Sequence, residues 1–388
     1  MHNARPPFSL GQITAYFLKL GSIGFGGPVA LVNYMHRDLV EQRKWISEED
    51  YKEGLALAQL MPGPLAAQLC IYLGYVHHRI LGATLAGVAF ILPSFLMVVA
   101  IGWAYVHYGG LPWMQAVFYG VGAAVIGIIA ISAFKLTQKS VGKLEPKSMR
   151  ANWPLWALFI IGAAVTVITQ REEVLLFVGA GVLYMLLKAP PQWMRGTSAP
   201  AILLATTGAA AAEGSVLWRI ALFFGEAGAF VFGSGLAIVP FLHSAVTEQG
   251  WLTEQQFIDA VAVAMITPGP VVITVGFIGY LVAGFPGACV AAAATFLPCY
   301  LLTILPAPYV KRFTKNASVK AFVDGITSAV VGALVGAVVV IALRSIGDIP
   351  QVLIAVAALG ALLYWKKLKE PAVIAVAAGL GLLLKATG

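Results

Sequence analysis

The sequence predicts an all-α integral membrane protein built from two related halves. Of its 388 residues, 60% are hydrophobic and only 11% are charged, and the mean hydropathy is +0.86. Soluble domains carry about 25% charged residues. Apolar runs long enough to cross about 30 Å of hydrocarbon recur along the whole chain, and motifs of the first half return in the same order in the second. These observations exclude a soluble domain.

Three blocks of the two halves align with only single-residue gaps between them. The first block pairs Gly21, Phe25, Gly26, Ala30 and His36 with Gly228, Phe232, Gly233, Ala237 and His243. The second pairs Trp45, Glu48 and Pro62-Gly63-Pro64 with Trp251, Glu254 and Pro268-Gly269-Pro270. The third pairs Gly74, Gly82, Pro93, Gly120 and Gly127 with Gly279, Gly287, Pro298, Gly325 and Gly332. Matched hydrophobic segments interrupted by Gly and Pro are typical of secondary transporters whose site lies at the interruptions.

The repeat divides the chain into an N-terminal transmembrane repeat (1–188), a linker (189–214) and a C-terminal transmembrane repeat (215–388). Each repeat contains six hydrophobic elements. In the first half these elements are 11–35, 51–76, 80–106, 112–136, 153–169 and 173–188. Their counterparts are 216–242, 257–283, 285–305, 319–343, 349–365 and 371–386. The linker contains Pro190-Pro191 and an alanine-rich run, and a short helix of its own is compatible with that composition.

The first element of each half contains a break. Gly26-Gly27-Pro28 permits an interrupted helix, because glycine allows unusual backbone angles and proline suits the first turn of the helix that restarts. Gly233-Ser234-Gly235 gives the second half the same freedom and adds a hydroxyl donor.

The second element of each half predicts a helical hairpin. Ser47 and Thr253 begin sequences that resemble capping boxes, and the second fits better because it has Gln256 at the fourth position. Each helix then runs to a Pro-Gly-Pro triplet, where two prolines remove backbone donors. At 1.5 Å per residue, pieces of about fourteen residues reach about 20 Å and do not cross a bilayer. Two such pieces form a re-entrant hairpin, provided that other protein shields its tip from lipid.

The remaining four elements are apolar runs, and the loops around them carry an orientation signal, since Lys and Arg favour the cytoplasmic side. Residues 36–53 contain four Lys and Arg, and the matched 243–259 contain none. Residues 107–112 contain none and 306–320 four, whereas 135–150 contain five and 344–350 one. Every matched loop reverses its bias. We therefore expect two inverted repeats, each with about five transmembrane helices and one re-entrant hairpin; six parallel spans per half are the alternative.

The interruptions are also the predicted substrate site. Where a helix restarts inside a membrane, its first N–H groups lack partners and its dipole presents partial positive charge, so that the end attracts an anion. The alternative is that these glycines only allow close helix packing. The candidate substrate residues are Lys19, Ser22, Gly26, Gly27, Pro62, Gly63, Gln68, Gly233, Ser234, Pro268, Gly269 and Thr274. Inversion brings these interruptions together near the bilayer midplane.

Two charged residues sit just before the breaks, Lys19 in the first half and Glu226 at the aligned place in the second. An ionisable group inside a membrane predicts function. Lys19 attracts the anion in this hypothesis, and Glu226 is an ion-pair partner or carries a coupling proton. The alternative is that both side chains extend to the interface.

Other chemistry has little support in the sequence. Cys70, Cys289 and Cys299 lie in apolar context without the spacing of metal ligands, and no Walker loop or Ser/His/Asp set is present. We therefore predict no enzyme activity, no cofactor, no metal site and no nucleic-acid partner. The expected partners are an anion and the lipid bilayer, and a homodimer is compatible with the sequence.

The set of motifs resembles the chromate ion transporter family over nearly the whole chain, in its long form with two fused halves. The similarity lies in Phe17-Leu18-Lys19-Leu20-Gly21, Phe25-Gly26-Gly27-Pro28, Gln59-Leu60-Met61-Pro62-Gly63-Pro64, Phe232-Gly233-Ser234-Gly235 and Pro268-Gly269-Pro270. The resemblance implies a multi-pass protein of the bacterial inner membrane that exports chromate and confers chromate resistance. Sulfate or another oxyanion remains an alternative substrate, and an anion channel is an alternative mechanism.

Overall fold

The computed structural model describes residues 8–25, 27–108, 111–170, 173–191, 215–231, 235–239, 241–243, 249–314, 316–365, 368 and 370–386. These residues are mostly helical, and none of them lies in a strand. The first half contains α1 (Leu10–Ile23), α2 (Gly27–Met35), a π-helical segment (His36–Gln42), α3 (Glu48–Leu60), α4 (Leu65–Tyr108), α5 (Pro112–Ser140), α6 (Pro146–Ala151), α7 (Trp153–Thr169) and α8 (Val174–Lys188). The second half contains α9 (Val216–Ala229), α10 (Glu254–Ile266), α11 (Thr274–Ile304), α12 (Val310–Thr314), α13 (Ala317–Ser345), α14 (Ile349–Tyr364) and α15 (Glu370–Ala386), with short 3₁₀ turns at Gly235–Ile238, Val271–Ile273 and Ala307–Tyr309.

The predicted helix starts before both triplets are confirmed. Ser47 caps α3 by accepting the Asp50 N–H at 3.0 Å. The Asp50 carboxylate does not complete a capping box and instead accepts the Ser47 hydroxyl at 2.6 Å. Thr253 and Gln256 form the full box on α10, because the longer glutamine side chain reaches back to the backbone of the cap residue.

The two pieces on either side of the first Pro-Gly-Pro form a pair of packed helices. The helix α3 ends at Leu60, with Met61 between it and the first Pro-Gly-Pro, and α4 starts directly after the triplet. A Cβ placed on Gly54 of α3 would collide with the Tyr72 ring of α4, so the two helices pack side by side around the triplet. Pro64 and Pro270 directly precede the restarted helical turns and do not lie within them.

A sharp turn divides α4, and a matching turn divides α11. Arg79 has φ 53° and ψ −141°, and Gly284 has φ 62° and ψ −154°. We call the arms α4a (65–78) and α4b (80–108), and α11a (274–282) and α11b (285–304). A Cβ on Gly74 would collide with the Gly82 carbonyl, so α4a and α4b fold back on each other. The predicted elements 51–76 and 80–106 are therefore α3 followed by one kinked helix.

The arm α4b of the first half runs beside α11a of the second. The Ser94 hydroxyl donates to Pro268 O at 2.6 Å, at the start of the contact. A Cβ on Gly276 would lie 3.3 Å from the Val98 side chain, and one on Gly102 would lie 3.1 Å from Tyr280. Residue numbers rise together on both helices, so α4b and α11a run in the same direction.

The last helices of each half pack against the other half. Helix α5 packs against α14 and α15, and α13 packs against α7 and α8. Matched glycines lie where these helices touch. A Cβ on Gly127 would collide with Ala355 O, and one on Gly332 would collide with Phe159 O. The missing side chains let the helix backbones approach closely, and the exchange joins both halves into one body.

Within the described part of the chain, four helical segments are long and apolar enough to cross a membrane: Leu65–Tyr108, Pro112–Ser140, Val271–Tyr309 and Ala317–Ser345. The shorter helices α7, α8 and α14 are also apolar. Large hydrophobic side chains stay on the outside, such as Ile168 and Leu343, each 79% exposed. A surface of this kind is suited to lipid and not to water, as expected for a membrane protein.

Candidate functional site

The two breaks and the two Pro-Gly-Pro tips meet in reciprocal pairs. We call residues 24–28 and 231–235 the first and second breaks, and residues 62–64 and 268–270 the first and second tips. The Gly63 N–H donates to Val231 O at 2.5 Å, and the Gly269 N–H donates to Gly24 O at 3.0 Å. Gly24 aligns with Val231, and Gly63 aligns with Gly269. Each tip therefore docks on the break of the other half through the same backbone contact.

The backbone of both tips requires glycine. Gly63 has φ 139° and Gly269 has φ 100°, in the range that residues with a Cβ rarely adopt. A Cβ on Gly269 would also collide with the Ser94 hydroxyl. That hydroxyl lies 3.4 Å from Gly21 O as well as 2.6 Å from Pro268 O, so Ser94 connects the second tip to α1.

Gln68 holds the first tip from inside. It is fully buried, and its Nε2 donates to Pro62 O at 2.8 Å. Its Oε1 has no hydrogen-bond partner in the described part of the chain. Thr274 occupies the aligned position in the second half, where it is also fully buried and its hydroxyl donates to Val271 O at 2.8 Å.

A cavity of about 310 Å³ opens beside the first break and the second tip. Its walls come mainly from the first break, the residues around the second tip, α5 and the start of α15, and a single acidic residue contributes. The lining residues are Gly24, Phe25, Gly27, Pro28, Leu65, Ser132, Lys135, Leu136, Lys139, Ala264, Met265, Thr267, Gly269, Val271, Glu370 and Pro371. The cavity thus adjoins the start of α2, where N–H groups lack helical partners.

Two lysines give the cavity its charge. Lys135 and Lys139 stand one turn apart on α5, and neither forms a salt bridge with any described residue. Against them stands one carboxylate, that of Glu370. Two ammonium groups and the positive end of the α2 dipole favour an anion in this space.

The structure brings part of the predicted residue set together. Gly27 and Gly269 line the cavity, and Pro268 accepts the hydrogen bond of Ser94. The first tip contains Pro62 and Gly63, and Gln68 donates to it at Pro62 O. Thr274 lies beside the second tip, where its hydroxyl donates to Val271 O. Gly26, Gly233 and Ser234 lie outside the described residues.

Three predicted residues stand apart from the cavity. Lys19 and Glu226 are exposed on α1 and α9, and they form no ion pair with each other. The Ser22 hydroxyl donates to Leu18 O within its own helix at 2.8 Å. A substrate role for these three residues stays a prediction.

Sequence reasoning missed the cavity lysines, since it assigned residues 135–150 to a cytoplasmic loop. That boundary is wrong, because α5 continues to Ser140. A signal for the helix was present: Ser132, Lys135, Leu136 and Lys139 follow the spacing i, i+3, i+4, i+7 of one helix face.

Each half also contains a histidine–glutamate pair, and the two pairs occupy aligned positions. His36 Nε2 lies 3.0 Å from Glu48 Oε2, and His243 Nε2 lies 2.5 Å from Glu254 Oε2. Arg344 joins the second pair at 3.0 Å from Glu254 Oε1. Because each pair joins the end of the broken element to the start of the hairpin, the repeat extends to the ion pairs.

Comparison with known proteins gives the family. The sequence profile described as "Chromate transporter" matches residues 11–185 and 218–382. The chain belongs to the chromate transporter family. The two matched regions of this family cover the two halves separately, and both contain a break and a tip.

Relatives within the family span the whole chain. A protein named "Chromate transport protein" from Cupriavidus metallidurans is 62% identical over 98% of this chain and 94% of its own length. A "Probable chromate transport protein" from Synechococcus elongatus is 59% identical over 98% of this chain and 97% of its own. A "Chromate transport protein" from Pseudomonas aeruginosa is 30% identical, over 97% and 92%. No solved structure gives a significant match.

Proposed function

We propose that this protein is a secondary transporter that exports chromate across the bacterial inner membrane and so confers chromate resistance. The observation that carries the proposal is the cavity in which Lys135 and Lys139 face the first break and the second tip. Chromate is a tetrahedral dianion, and two ammonium groups with helix-start N–H groups suit its charge. The names of the relatives supply the identity of the anion.

The proposed topology is a multi-pass pair of inverted repeats, each with about five transmembrane helices and a re-entrant hairpin. Helix directions support it: α4a is antiparallel to α4b, and α4b runs with α11a, so the matched arms α4a and α11a point in opposite directions. The reversed loop charges support the same arrangement. The two regions of the family profile also leave out the whole of the proposed linker (189–214).

The membrane potential is sufficient to favour export. Moving one elementary charge across 100 mV yields about 2.3 kcal/mol, so a dianion that leaves a negative-inside cell gains about twice that. Lys135 and Lys139 lie near the C-terminal end of α5, and the basic segment 143–150 follows that helix. In the proposed topology this segment is cytoplasmic, and the cavity therefore receives the anion from the cytoplasm.

The test is flux of chromate in proteoliposomes at fixed membrane potential, with sulfate, molybdate and phosphate as competitors. We expect saturable flux that is stimulated by counter-substrate. Flux that stays linear with concentration would identify an anion channel, and preference for sulfate would identify a sulfate carrier. No oxyanion flux at all would refute the proposed function.

Lysine variants locate the site within that assay. We expect Lys135→Gln and Lys139→Gln each to weaken chromate transport about tenfold, since one lost charge contact is worth about 1.4 kcal/mol or more. Lys143→Gln, three residues beyond the end of α5, is the matched control and should transport normally. Lys19→Gln tests the sequence prediction; unchanged flux would assign Lys19 to the interface.

A further inference from the structure

Asp259 is a buried acid with neutral partners. It lies on α10, the first helix of the second hairpin, and is 2% exposed. Tyr105 Oη donates to its Oδ2 and Gln255 Nε2 donates to its Oδ1, each at 2.8 Å. Among the described residues, no Lys, Arg or His forms a salt bridge with Asp259. A buried carboxylate without a cation is costly, and binding a proton removes that cost.

Among the described residues, the elements packed against α10 supply no salt-bridge partner to this carboxyl. Helix α10 packs against α4, α5, α11, α13 and α15. Only α4 contributes a titratable partner, Tyr105, whose ring packs on Phe277 of α11 at 5.5 Å. Arg344 of α13 and His243 bind Glu254, Tyr119 of α5 binds Asp348, and Lys385 of α15 lies 4.7 Å from the Tyr119 ring. Lys135 and Lys139 of α5 and Glu370 of α15 line the cavity, together with Met265 of α10.

The first half has an acid at the aligned position, but with different surroundings. Glu53 lies as far before Gly63 as Asp259 lies before Gly269. Its carboxylate is 3.1 Å from Lys311 Nζ and is 19% exposed. Lys311 gives Glu53 a cationic partner, whereas both partners of Asp259 are neutral. Of these two aligned acids, Asp259 alone has no cationic partner among the described residues.

Given the transport function proposed above, we propose that Asp259 is the binding site of a proton that moves with the anion. Asp259 and the cavity residue Met265 are on the same helix, six residues or about 9 Å apart along its axis. A dianion in the cavity repels a carboxylate at this distance, and the repulsion disappears when the carboxyl binds a proton. Anion and proton therefore bind cooperatively.

The hydrogen bond to Tyr105 places this proton site at the contact between the halves. Tyr105 belongs to α4b of the first half, and Asp259 belongs to the second. The proton is taken from the solution on the side where the anion enters, forms an O–H bond on the carboxyl, and is released as that bond breaks on the opposite side. One proton with one dianion carries a net single negative charge, so the potential still favours export.

The experiment records proton and anion movement in the same proteoliposomes. Chromate is added outside at zero membrane potential, and an internal pH dye follows the protons. Sulfate is the second probe, because it stays a dianion over the working pH range. We expect wild-type protein to acidify the lumen as the anion enters. Asp259→Asn should keep anion exchange but lose the acidification, and Asp324→Asn, a partly buried acid on α13, should keep both.

Two further variants separate the proton role from a structural one. Asp259→Glu retains a carboxyl and should retain lumen acidification even where Asp259→Asn folds poorly. Tyr105→Phe should move the half-maximal pH of flux upward, because the lost hydrogen bond stabilises the carboxylate. Acidification by Asp259→Asn at the wild-type ratio, or chromate entry by wild type without protons, would overturn the proposal. The second result leaves the transport function intact, whereas absent wild-type flux would refute that function itself.

Discussion

The turn between the arms of α4 and the matched turn in α11 have nearly the same backbone angles, yet one is built with arginine and the other with glycine. Arg79 has φ 53° and Gly284 has φ 62°. The same holds at the tips, where Ser94 faces Gly269 and the aligned Cys299 faces Gly63. The halves repeat their backbone geometry, but their polar groups differ.

The difference indicates that the backbone features are common to both halves, whereas the charged groups of the candidate site come unequally from them. Both halves supply a break, a tip and a turn, and these features set the shape of the site. The charges are one-sided: Lys139 lines the cavity, whereas the aligned Arg344 is bound to Glu254. Likewise, Glu53 is ion-paired and Asp259 is not. In the function proposed above, a symmetric frame with charges on one side is the reason that we expect one anion site instead of two.

The largest expected effect tests whether the halves are inverted at all. Lys44 and Gly250 are aligned, exposed loop residues with positive φ. In protein whose three native cysteines are replaced by alanine, we expect a membrane-impermeant maleimide to label Gly250→Cys in intact spheroplasts. Lys44→Cys should react only after permeabilisation. Equal labelling of both positions in intact cells would refute the inverted arrangement.

The next effect compares the two tips. Gly269→Ala should reduce transport more than tenfold, because a positive φ with a Cβ costs about 1–3 kcal/mol and the Cβ would collide with Ser94. Gly63→Ala should be milder, since its Cβ would meet side-chain atoms of Gln68 and Cys299, at 2.8 and 3.0 Å, that can shift. Proteoliposome flux measures both effects.

Conservative changes beside the tips are the controls for this comparison. Leu65→Ile and Val271→Ile alter side chains without changing backbone freedom, and we expect each to reduce flux less than the neighbouring glycine variant. Equal losses for all four variants would mean that side-chain packing, and not backbone shape, controls the site.

A smaller effect concerns the matched turns. Replacing Arg79 by glycine removes the strain of a positive φ, about 1 kcal/mol, and loses the contact of its guanidinium with the Tyr75 ring, worth about 0.5 kcal/mol. We expect a slightly higher thermal unfolding temperature in detergent. Gly284→Ala should lower stability by about 1 kcal/mol. A fall in stability for Arg79→Gly would show that Arg79 contributes more than this one contact.

The smallest effect concerns the two histidine–glutamate pairs. Burial raises the pKa of Glu254, but the hydrogen bonds and charges of His243 and Arg344 outweigh it and hold that pKa below its usual 4.5. A lowered pKa stabilises the fold above the unfolded value, and the contribution disappears as pH falls through the folded value. Wild-type stability should therefore fall below about pH 4.5.

Glutamine variants test the origin of that pH dependence. Glu254→Gln should be less stable by about 1 kcal/mol at neutral pH and should show a flatter acid limb in thermal unfolding. The exposed Glu48, whose pKa is lowered mainly by its hydrogen bond to His36, should give little change as Glu48→Gln. A larger effect at Glu48 than at Glu254 would contradict the role of burial.

The family and the helical class could be predicted from the sequence, as could the helix starts at Ser47 and Thr253, the interruption at the first break and the end of α3 before its triplet. These features depend on local chemistry: apolar length, cap side chains, and the missing donors of proline. The pairing of the halves was also readable, because duplicated motifs keep their order and spacing.

Only the tertiary structure decided which residues meet. The hydrogen bond between Gly24 and Gly269, and the cavity that Lys135 shares with the second tip, bring together positions more than a hundred residues apart. No local pattern in the sequence records such contacts. The lysines of α5 looked like loop charges because they follow the apolar run, and no local pattern distinguished Asp259 from other polar residues. Local sequence fixes backbone geometry through nearby atoms. Burial and charge pairing depend on what the rest of the chain places around each side chain, and so they were determined only when the two halves packed together.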